Sequence, residues 1–393
     1  MPWKEDRVKD LRAELLREWD SGESISFLAA AYGVSRKTIY KWMERREAEG
    51  LAGLEDRSRA PKHSPHALRE ETIERIVEAR RRWNWGPRKL LVKLAEQDPE
   101  RDWPAASTIA EVLKQAGLSS GRKRRTRTPP YSQPFAVVEQ ANQTWCADFK
   151  GWFRTADGTR CDPLTITDAY SRYLLRCQIT PRTDTAHVAA IFEAAFGEFG
   201  LPSVIHTDNG APFASRAPGG LSRLSMRWLR LGIVPERSRP ASPQENGRHE
   251  RMHRTLKKET LRPPARNPRQ QQQRFLEFQH TYNCERPHEA LDYDPPARHY
   301  QPSGRVMPRR LPELEYPAGM LLRRVQPHGD VRVHGERYFI SEIFAHETVA
   351  LREIDERYLE LFYGPVRLGW LDTFRRRFHL KQPAPRVEPP RET

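Results

Sequence analysis

The sequence predicts a multidomain α+β protein with helical modules first, a mixed α/β region in the middle and short β-strands at the end. Its 393 residues suggest two to four domains at about 150 residues each. The 33 prolines cluster with charged residues around positions 59–64, 121–130 and 295–317, which indicates linkers there. Hydrophobic residues make up 37% of the chain, enough to bury real cores and to exclude wholesale disorder.

The charge balance points to a polyanionic partner. Lys and Arg number 67 against 52 Asp and Glu, a formal net charge of +15. Double-stranded DNA is the leading candidate, because neutralising phosphates releases counterions. No apolar run approaches the roughly 18 residues of a membrane helix, so we expect no membrane partner. The polar first residues differ from a signal peptide. Four dispersed cysteines exclude a disulfide framework and a cysteine zinc site, and they fit a reducing cytosol.

Periodicity along the chain sets the expected boundaries. Helical patterns fill the region before residue 120, strand-like and helical runs alternate from 135 to 250, and five short strands follow residue 321. Five short strands with Gly and charged turns are typical of a small β-barrel. We therefore expect a helix-turn-helix domain at 1–57, a second helix-turn-helix or winged-helix-like domain at 58–120, a basic linker at 121–134, an α/β catalytic core at 135–300, a linker at 301–320 and a small β-barrel at 321–393.

The first module has the pattern of a DNA-binding helix-turn-helix. Ala29 is small where two helices must cross, Gly33 suits a turn with positive φ, and Ser35 is a good N-cap. The next helix then turns a basic face outward, typical of a recognition helix. The alternative is an ordinary helical hairpin with a solvated basic face. We expect DNA contacts from Arg36, Lys37, Tyr40, Lys41 and Arg45.

A second helical module and a basic arm follow. Pro87 is placed to start a helix, and Thr108 with Glu111 resembles a capping box that opens another. The module is either a second helix-turn-helix unit or a plain helical spacer. The basic block after it cannot fold alone and suits an arm laid along phosphates. Its expected DNA-binding residues are Arg122, Lys123, Arg124 and Arg125.

Three acidic residues stand in distinctive surroundings. Asp148 lies in mid-strand, where a buried carboxylate is costly unless it holds a metal. Asp208 follows a buried strand, where α/β folds gather ligands, although such an aspartate also commonly caps a turn. The third acid is either Glu245, in a polar loop, or Glu250, one turn further along. We favour Glu250, because it shares a helix face with Arg254 and Lys257.

Carboxylates on three separate elements suit two hard divalent cations. Mg²⁺ prefers oxygen ligands, and Mn²⁺ is the expected substitute. Two such ions about 4 Å apart can activate an attacking oxygen and stabilise a leaving oxygen in phosphoryl transfer. Asp168, in the motif D-x-x-S-R, is the rival ligand, and we interpret it as structural.

Residues 145–300 resemble the integrase-type catalytic core of bacterial insertion-sequence transposases and retroviral integrases. The motifs that carry the resemblance are W-x-x-D ending at Asp148, H-T-D-N-G around Asp208, P-Q-x-x-G-x-x-E ending at Glu250, and Y-N-x-x-R-P-H-x-A-L at 282–291. The chain lacks the His/Cys zinc module that opens retroviral integrases, so the bacterial transposases are the closer match. The resemblance implies an RNase H-like fold, DDE chemistry with Glu250 as the third acid, and a DNA-contacting role for Lys257.

By this resemblance the chain is expected to be a DNA transposase. It would bind the terminal inverted repeats of its element, cleave phosphodiester bonds at the ends, and join the freed 3′-OH to target DNA. A homo-multimer assembled on DNA, in the bacterial cytoplasm at the nucleoid, is also expected. The alternatives are a catalytically inactive DNA-binding regulator and a metal-dependent DNA endonuclease without strand transfer.

Overall fold

The computed structural model describes residues 8–57, 68–119, 138–238 and 247–381. The chain divides into two compact units, residues 1–70 and residues 71–393. None of the helices in the described ranges is long and apolar enough to cross a membrane.

The first unit is a three-helix module with its own core. It contains α1 (Val8–Asp20), α2 (Ile25–Ala31) and α3 (Arg36–Glu49). Ser35 caps α3 by accepting the Thr38 N–H, and Gly33 has a φ of +64° in the turn before it. The helix-turn-helix prediction is confirmed in its turn and its cap. Both positions orient α3 so that its apolar side closes a core made of Leu15, Leu16, Leu28, Ile39, Trp42 and Leu54.

The second unit begins with three more helices, α4 (Glu70–Trp83), α5 (Pro87–Gln97) and α6 (Ala106–Gln115). Pro87 is the first residue of α5, as predicted, because its missing N–H costs nothing at that position. The capping box at Thr108 is wrong. Helix α6 already begins at Ala106, with Ala105 as an N-cap that provides no side-chain hydrogen bond, so Thr108 lies inside the first turn.

A mixed six-stranded sheet forms the centre of the second unit. Strand β1 pairs antiparallel with β3 and parallel with β5, β5 pairs parallel with β6, and both β2 and β4 pair antiparallel with β3. The strands are β1 (Thr144–Phe149), β2 (Phe153–Arg154), β3 (Arg160–Asp168), β4 (Leu174–Thr180), β5 (Val204–Thr207) and β6 (Val234–Arg237). The mixed α/β prediction is confirmed, and it places the carboxyl ends of β1 and β5 side by side.

Helices cover both faces of this sheet. Helix α7 (Thr185–Phe199) connects β4 to β5, and α8 (Arg223–Arg230) connects β5 to β6. Both pack on one face around Trp145, Phe192 and Trp228, all of which are buried. On the other face, α9 (Gly247–Thr260) and α10 (Pro268–His280) pack over β4 through Met252, Leu256, Phe275 and Phe278, and Tyr282 in the turn after α10 joins this cluster. These contacts hold α9 across the sheet at the end where β1 finishes.

The C-terminal strands form an open sheet and a separate hairpin. The sheet order is β13-β12-β11-β10-β7, and β8 pairs only with β9 among the described strands. The strands are β7 (Leu321–Arg324), β8 (Asp330–Val333), β9 (Glu336–Phe339), β10 (Thr348–Glu353), β11 (Tyr358–Tyr363), β12 (Val366–Asp372) and β13 (Arg377–His379).

The predicted small β-barrel is not confirmed, because no closed barrel forms in the described residues. The hairpin lies near both sheet edges, with β8 beside β7 and β9 beside β13. Those junctions use side chains: Arg323 Nε donates to the Arg332 carbonyl at 3.1 Å, and Arg376 pairs with Glu336 at 2.9 Å. Edge strands of four and three residues are too short to extend a backbone ladder around the hairpin.

Candidate active site

Asp148 lies close to the carboxyl end of β1, where it is opposite Thr165 of β3. Its side chain is 21% exposed. Burial and then the negative charge of Asp208 raise the pKa of Asp148 to about 7, with Glu250 adding to the effect. Asp208 and Glu250 are therefore both near enough for their charges to act on Asp148.

Asp208 directly follows β5, the parallel neighbour of β1. Its Oδ1 accepts the Gly210 N–H at 3.0 Å, so the carboxylate also caps the turn that follows. A role as a turn cap and a place beside Asp148 are thus compatible for Asp208. One carboxylate oxygen accepts a hydrogen bond in the turn, while the negative charge of the carboxylate acts on Asp148 at the end of the adjacent strand.

Glu250 lies in the first turn of α9 and is exposed. Its charge raises the pKa of Asp148, which places it at the same edge of the sheet. The rival Glu245 lies in residues 239–246, outside the described residues. The choice of Glu250 over Glu245 therefore stays a prediction.

Two lysines accompany the carboxylates. Lys257 is exposed on α9, as is Arg254 one turn before it. Burial and then the charge of Lys257 lower the pKa of Lys150, while Asp148 opposes that shift. Lys150 was not predicted as a site residue. It lies two residues after Asp148 at the end of a strand, and this spacing predicts that the two side chains lie on the same side of the sheet.

Buried hydroxyl and imidazole groups join α9 to the sheet beneath Asp148. Thr165 Oγ1 lies 2.7 Å from Nε2 of His249 and 2.7 Å from Nε2 of His253, and it donates to the Asp148 carbonyl at 3.1 Å. Thr167 Oγ1 lies 3.3 Å from His249 Nδ1. Nδ1 of His253 lies 3.9 Å from the Asp148 carboxylate. Burial lowers the pKa of His249 to about 4 and that of His253 to about 2, so both rings are neutral at pH 7.

The sequence did not predict a role for His249 or His253. Their i, i+4 spacing on a predicted helix indicates a common face, which is the signal that could have grouped them. A third histidine, His206, lies on β5 beside Glu236 of β6, with 3.5 Å between Nδ1 and the carboxylate. Its Nε2 lies 3.0 Å from the Ser238 hydroxyl.

The carboxylates supply oxygen donors without forming a tight cage. Within the described ranges, no three His, Cys, Asp or Glu side chains lie close enough to hold one metal ion. The carboxylate of Asp168 is occupied by hydrogen bonds within the protein. It accepts the Asn142 N–H at 2.8 Å, the Ser171 N–H at 2.8 Å and the Ser171 hydroxyl at 2.6 Å. The structural interpretation of Asp168 is confirmed.

The sequence-predicted DNA contacts of the first module lie on the outer side of α3. Arg36, Lys37, Tyr40 and Lys41 are exposed and Arg45 is half-buried, while Ile39 and Trp42 close the core. This separation of charge from core is what a recognition helix requires. The arm residues Arg122, Lys123, Arg124 and Arg125 lie outside the described residues.

A basic groove runs beside α9 within the second unit. It has a volume of about 840 Å³ and lies between the start of α5 and the outer side of α9. Its lining includes Trp85, Arg88, Lys89, Arg254 and Lys258. The lining also includes two acidic residues, Glu259 and Glu289.

Models of known families match the chain in two regions. The integrase core domain matches residues 138–243, and a second integrase core domain model matches residues 231–296. A helix-turn-helix domain matches residues 11–62, and a homeodomain-like domain matches residues 38–113. The integrase-core matches include all three carboxylates.

Curated relatives include viral polyproteins and bacterial transposases. The chain is 45% identical over 82 residues to the Gag-Pol polyprotein of baboon endogenous virus, covering 20% of this chain and 4% of that protein. It is 28% identical over 159 residues to the transposase for insertion sequence element IS904 of Lactococcus lactis, covering 39% and 60%. It is 25% identical over 309 residues to transposase InsD for insertion element IS2-9 of Escherichia coli, covering 75% and 93%.

Solved structures give a weaker likeness. The HTLV-2 integrase catalytic core domain in complex with magnesium aligns with a TM-score of 0.33 at 16% identity, covering 41% of this chain and 98% of that one. A simian T-cell lymphotropic virus intasome chain aligns with a TM-score of 0.37 at 14% identity, covering 74% and 97%. By the family models and the curated relatives, and not by these structures, the chain is a relative of insertion-sequence transposases that carries a helix-turn-helix domain and an integrase core domain.

Proposed function

We propose that the chain is a DDE-type DNA transposase, a polynucleotidyl transferase that binds terminal inverted repeats, cleaves at the element ends and joins the 3′-OH to target DNA. One observation carries the proposal. The charges of Asp208 and Glu250 act on Asp148; Asp148 and Asp208 lie at the carboxyl ends of adjacent parallel strands and Glu250 on α9, all inside the region that matches the integrase core. The order of the antiparallel and parallel strands supports the RNase H-like expectation.

The donor chemistry fits divalent cations. Three carboxylates supply only oxygen, which Mg²⁺ prefers. Burial and then the charge of Asp208 raise the pKa of Asp148, and a bound cation would oppose both effects by favouring the ionised carboxylate. Asp148, Asp208 and Glu250 would hold two Mg²⁺ ions, with Mn²⁺ as a substitute. Bound there, the ions would supply the charge stabilisation that phosphoryl transfer needs at the attacking and leaving oxygens.

The remaining predicted roles concern DNA. Arg254 and Lys257 are exposed on the helix that carries Glu250, so they are placed to contact phosphates next to the reacting bond. The basic groove beside α9 provides a path for the flanking duplex. Arg36, Lys37, Tyr40, Lys41 and Arg45 of α3 would read the terminal repeat, and the arm with Arg122, Lys123, Arg124 and Arg125 would lie along the backbone. Two ends must be joined, so a homo-multimer assembled on DNA in the bacterial cytoplasm follows.

A strand-transfer assay on DNA that ends in the element's own repeat, with Mg²⁺, tests the activity. The wild-type chain should nick the end and join it to target DNA. Asp208→Asn should abolish both steps, and retained joining would contradict the metal-ligand assignment. Nicking without joining would indicate an endonuclease, and binding without nicking would indicate a regulator.

The choice of the third acid has its own matched pair of variants. Glu250→Gln should be inactive while Glu245→Gln retains joining, because the charge of Glu250 acts on Asp148. The reverse pattern would assign the role to Glu245.

Footprinting of the terminal repeat tests the recognition helix. Arg36→Ala with Lys41→Ala should weaken protection of the repeat, since both side chains are exposed on the outer side of α3. Glu47→Ala, on an exposed position of the same helix, is the matched control. Unchanged footprints in the double variant would refute the role of α3.

A further inference from the structure

We propose that Thr165, His249 and His253 are positioning residues, in which one threonine hydroxyl holds the helix of Glu250 against the strand of Asp148. The inference rests on the proposed function, because it concerns how that site is assembled. It assigns a role to three buried side chains that supply no oxygen to the carboxylate cluster.

Taken together as hydrogen bonds, the three contacts of Thr165 Oγ1 require one arrangement of protons. A hydroxyl has one proton and two lone pairs. Its proton goes to the Asp148 carbonyl, 3.1 Å away, which can only accept. The two imidazole Nε2 atoms at 2.7 Å must then each donate an N–H to the hydroxyl oxygen. All three polar contacts of the hydroxyl are thereby satisfied in a buried place.

The same count fixes the tautomer of both rings. Each neutral imidazole carries its proton on Nε2, which leaves Nδ1 as an acceptor. Nδ1 of His249 meets the Thr167 hydroxyl at 3.3 Å, and that hydroxyl can donate. Nδ1 of His253 faces the Asp148 carboxylate at 3.9 Å, beyond a direct hydrogen bond. Thr165 therefore decides which nitrogen of His253 is presented to the carboxylate cluster.

The arrangement links the elements that carry the proposed catalytic acids. His249 precedes Glu250 in the chain, and His253 is one turn further along α9 on its buried side. Thr165 lies opposite Asp148 in the β1–β3 ladder and is bonded to the Asp148 backbone itself. A change at the hydroxyl therefore affects the start of α9 and the end of β1 together. A side chain that only filled the core would have no such directional effect.

The test compares Thr165→Val, which removes the hydroxyl and nearly keeps the shape, with Thr165→Ser, which keeps the hydroxyl. Thr180→Val is the matched control, because Thr180 is another buried strand threonine, on β4, whose hydroxyl bonds to the Arg182 carbonyl. The full-length chain is labelled with ¹⁵N-histidine, and imidazole spectra report the tautomers of His249 and His253. Binding of Mn²⁺ alone is measured by electron paramagnetic resonance, and circular dichroism confirms folding.

We expect Nε2–H tautomers for both rings in the wild type, Thr165→Ser and Thr180→Val, and mixed tautomers in Thr165→Val. The Mn²⁺ Kd should rise at least tenfold in Thr165→Val and stay within about threefold of wild type in the other two. Unchanged tautomers and unchanged Mn²⁺ affinity in a folded Thr165→Val would overturn the inference.

A second pair of variants decides the matter if Thr165→Val does not fold. His253→Gln keeps an N–H donor near the position of Nε2, whereas the shorter His253→Asn cannot reach Thr165. His253→Gln should retain Mn²⁺ affinity and His253→Asn should lose it at least tenfold; equal affinities would overturn the inference. A wild-type chain with ordered Nε2–H rings but no Mn²⁺ binding would contradict the proposed function instead.

Discussion

The carboxylates of Asp168 and Asp208 differ in burial and in their hydrogen bonds, which indicates that they have different roles. Asp168 is 1% exposed and accepts three donors from Asn142 and Ser171, which tie the end of β3 to the turn before β1 and to the turn after β3. Asp208 is half-buried and accepts one backbone N–H in a turn. Asp168 therefore contributes to stability, whereas Asp208 is the residue proposed to act in catalysis.

We predict that Asp168→Asn lowers the free energy of unfolding by about 1–3 kcal/mol, because the amide turns N–H donors toward groups that are themselves donors. Asp208→Asn should change it by less than about 0.5 kcal/mol. Urea denaturation at pH 7 measures both. Equal stability of the two variants would contradict this division of roles.

Residue-level prediction from sequence succeeded where the signal was local. The strand that contains Asp148, the position of Asp208 after β5 and the cap at Ser35 all follow from short patterns, although Asp148 lies near the end of β1 and not in mid-strand as predicted. The hydroxyl of Thr165 could not be predicted, because its partners are 84 and 88 residues away and the contact depends on the register of β3 against β1. Lys150 was not predicted as a site residue for another reason. Its proximity to Lys257 depends on the position of α9, which the local pattern does not give.

At the scale of elements, α9 divides its surface between core and charge. Met252 and Leu256 are buried against β4 and α10, while Arg251, Arg254, Lys257 and Lys258 are exposed. The helix thus offers a row of cations directly after Glu250.

We predict that Arg254→Ala with Lys257→Ala weakens DNA binding and makes the slope of log K against log salt less negative by about 1–2. Each lost phosphate contact removes about 0.9 from that slope. Fluorescence anisotropy across a salt series measures it. Lys114→Ala on α6, whose ammonium is exposed and paired with Glu111, should leave the slope unchanged. An unchanged slope in the double variant would remove α9 from the DNA path.

The C-terminal sheet depends on a buried ion pair at the end of β12. Asp372 is 1% exposed and accepts two hydrogen bonds from Arg357, at 3.0 and 2.7 Å. The hydrogen-bonded Arg357 guanidinium lowers the pKa of Asp372 to about 2. Because this pKa is below the ordinary value of 3.8, the stabilisation is complete above about pH 4 and is lost as the pH falls through 2.

We predict that Arg357→Ala lowers the free energy of unfolding at pH 7, since it leaves the Asp372 carboxylate without its cation. The variant should also lose less stability than the wild type between pH 4 and 2. Arg375→Ala is the control, because only the backbone of Arg375 bonds to Asp372. Chemical denaturation at each pH measures the effect, and parallel pH curves for wild type and Arg357→Ala would disprove it.

Element-level prediction failed in the same region. The sequence suggested five strands from residue 321 and a closed barrel, whereas β7 and β13 also form and the ladder stays open. Alternating hydrophobicity marks which residues face a core, but closure depends on strand length and stagger, which alternation does not encode. The hydrophobic pattern did not predict the short edge strands, because β7 and β13 contain no fully buried residues.

For the whole molecule, two compact units each bury a core of their own. Residues 1–70 close around Leu28, Ile39 and Trp42, and residues 71–393 contain several apolar clusters on both sides of the central sheet and in the C-terminal sheet. The proposed recognition helix and the proposed catalytic carboxylates lie in different units. Damage to the core of one unit should therefore leave the chemistry assigned to the other intact.

We predict that Leu28→Ala destabilises only the first unit. Leu28 is 0% exposed, and its truncation should cost about 2–5 kcal/mol through lost burial and a residual cavity. Calorimetry of the full chain should show the unfolding transition of residues 1–70 at a lower temperature, while the transition of residues 71–393 stays in place. Leu361→Ala, at a 0% exposed position of β11, should do the reverse. Both transitions moving together in either variant would show that the two cores unfold as one cooperative unit, because a local cavity can shift a remote transition only through coupling between them.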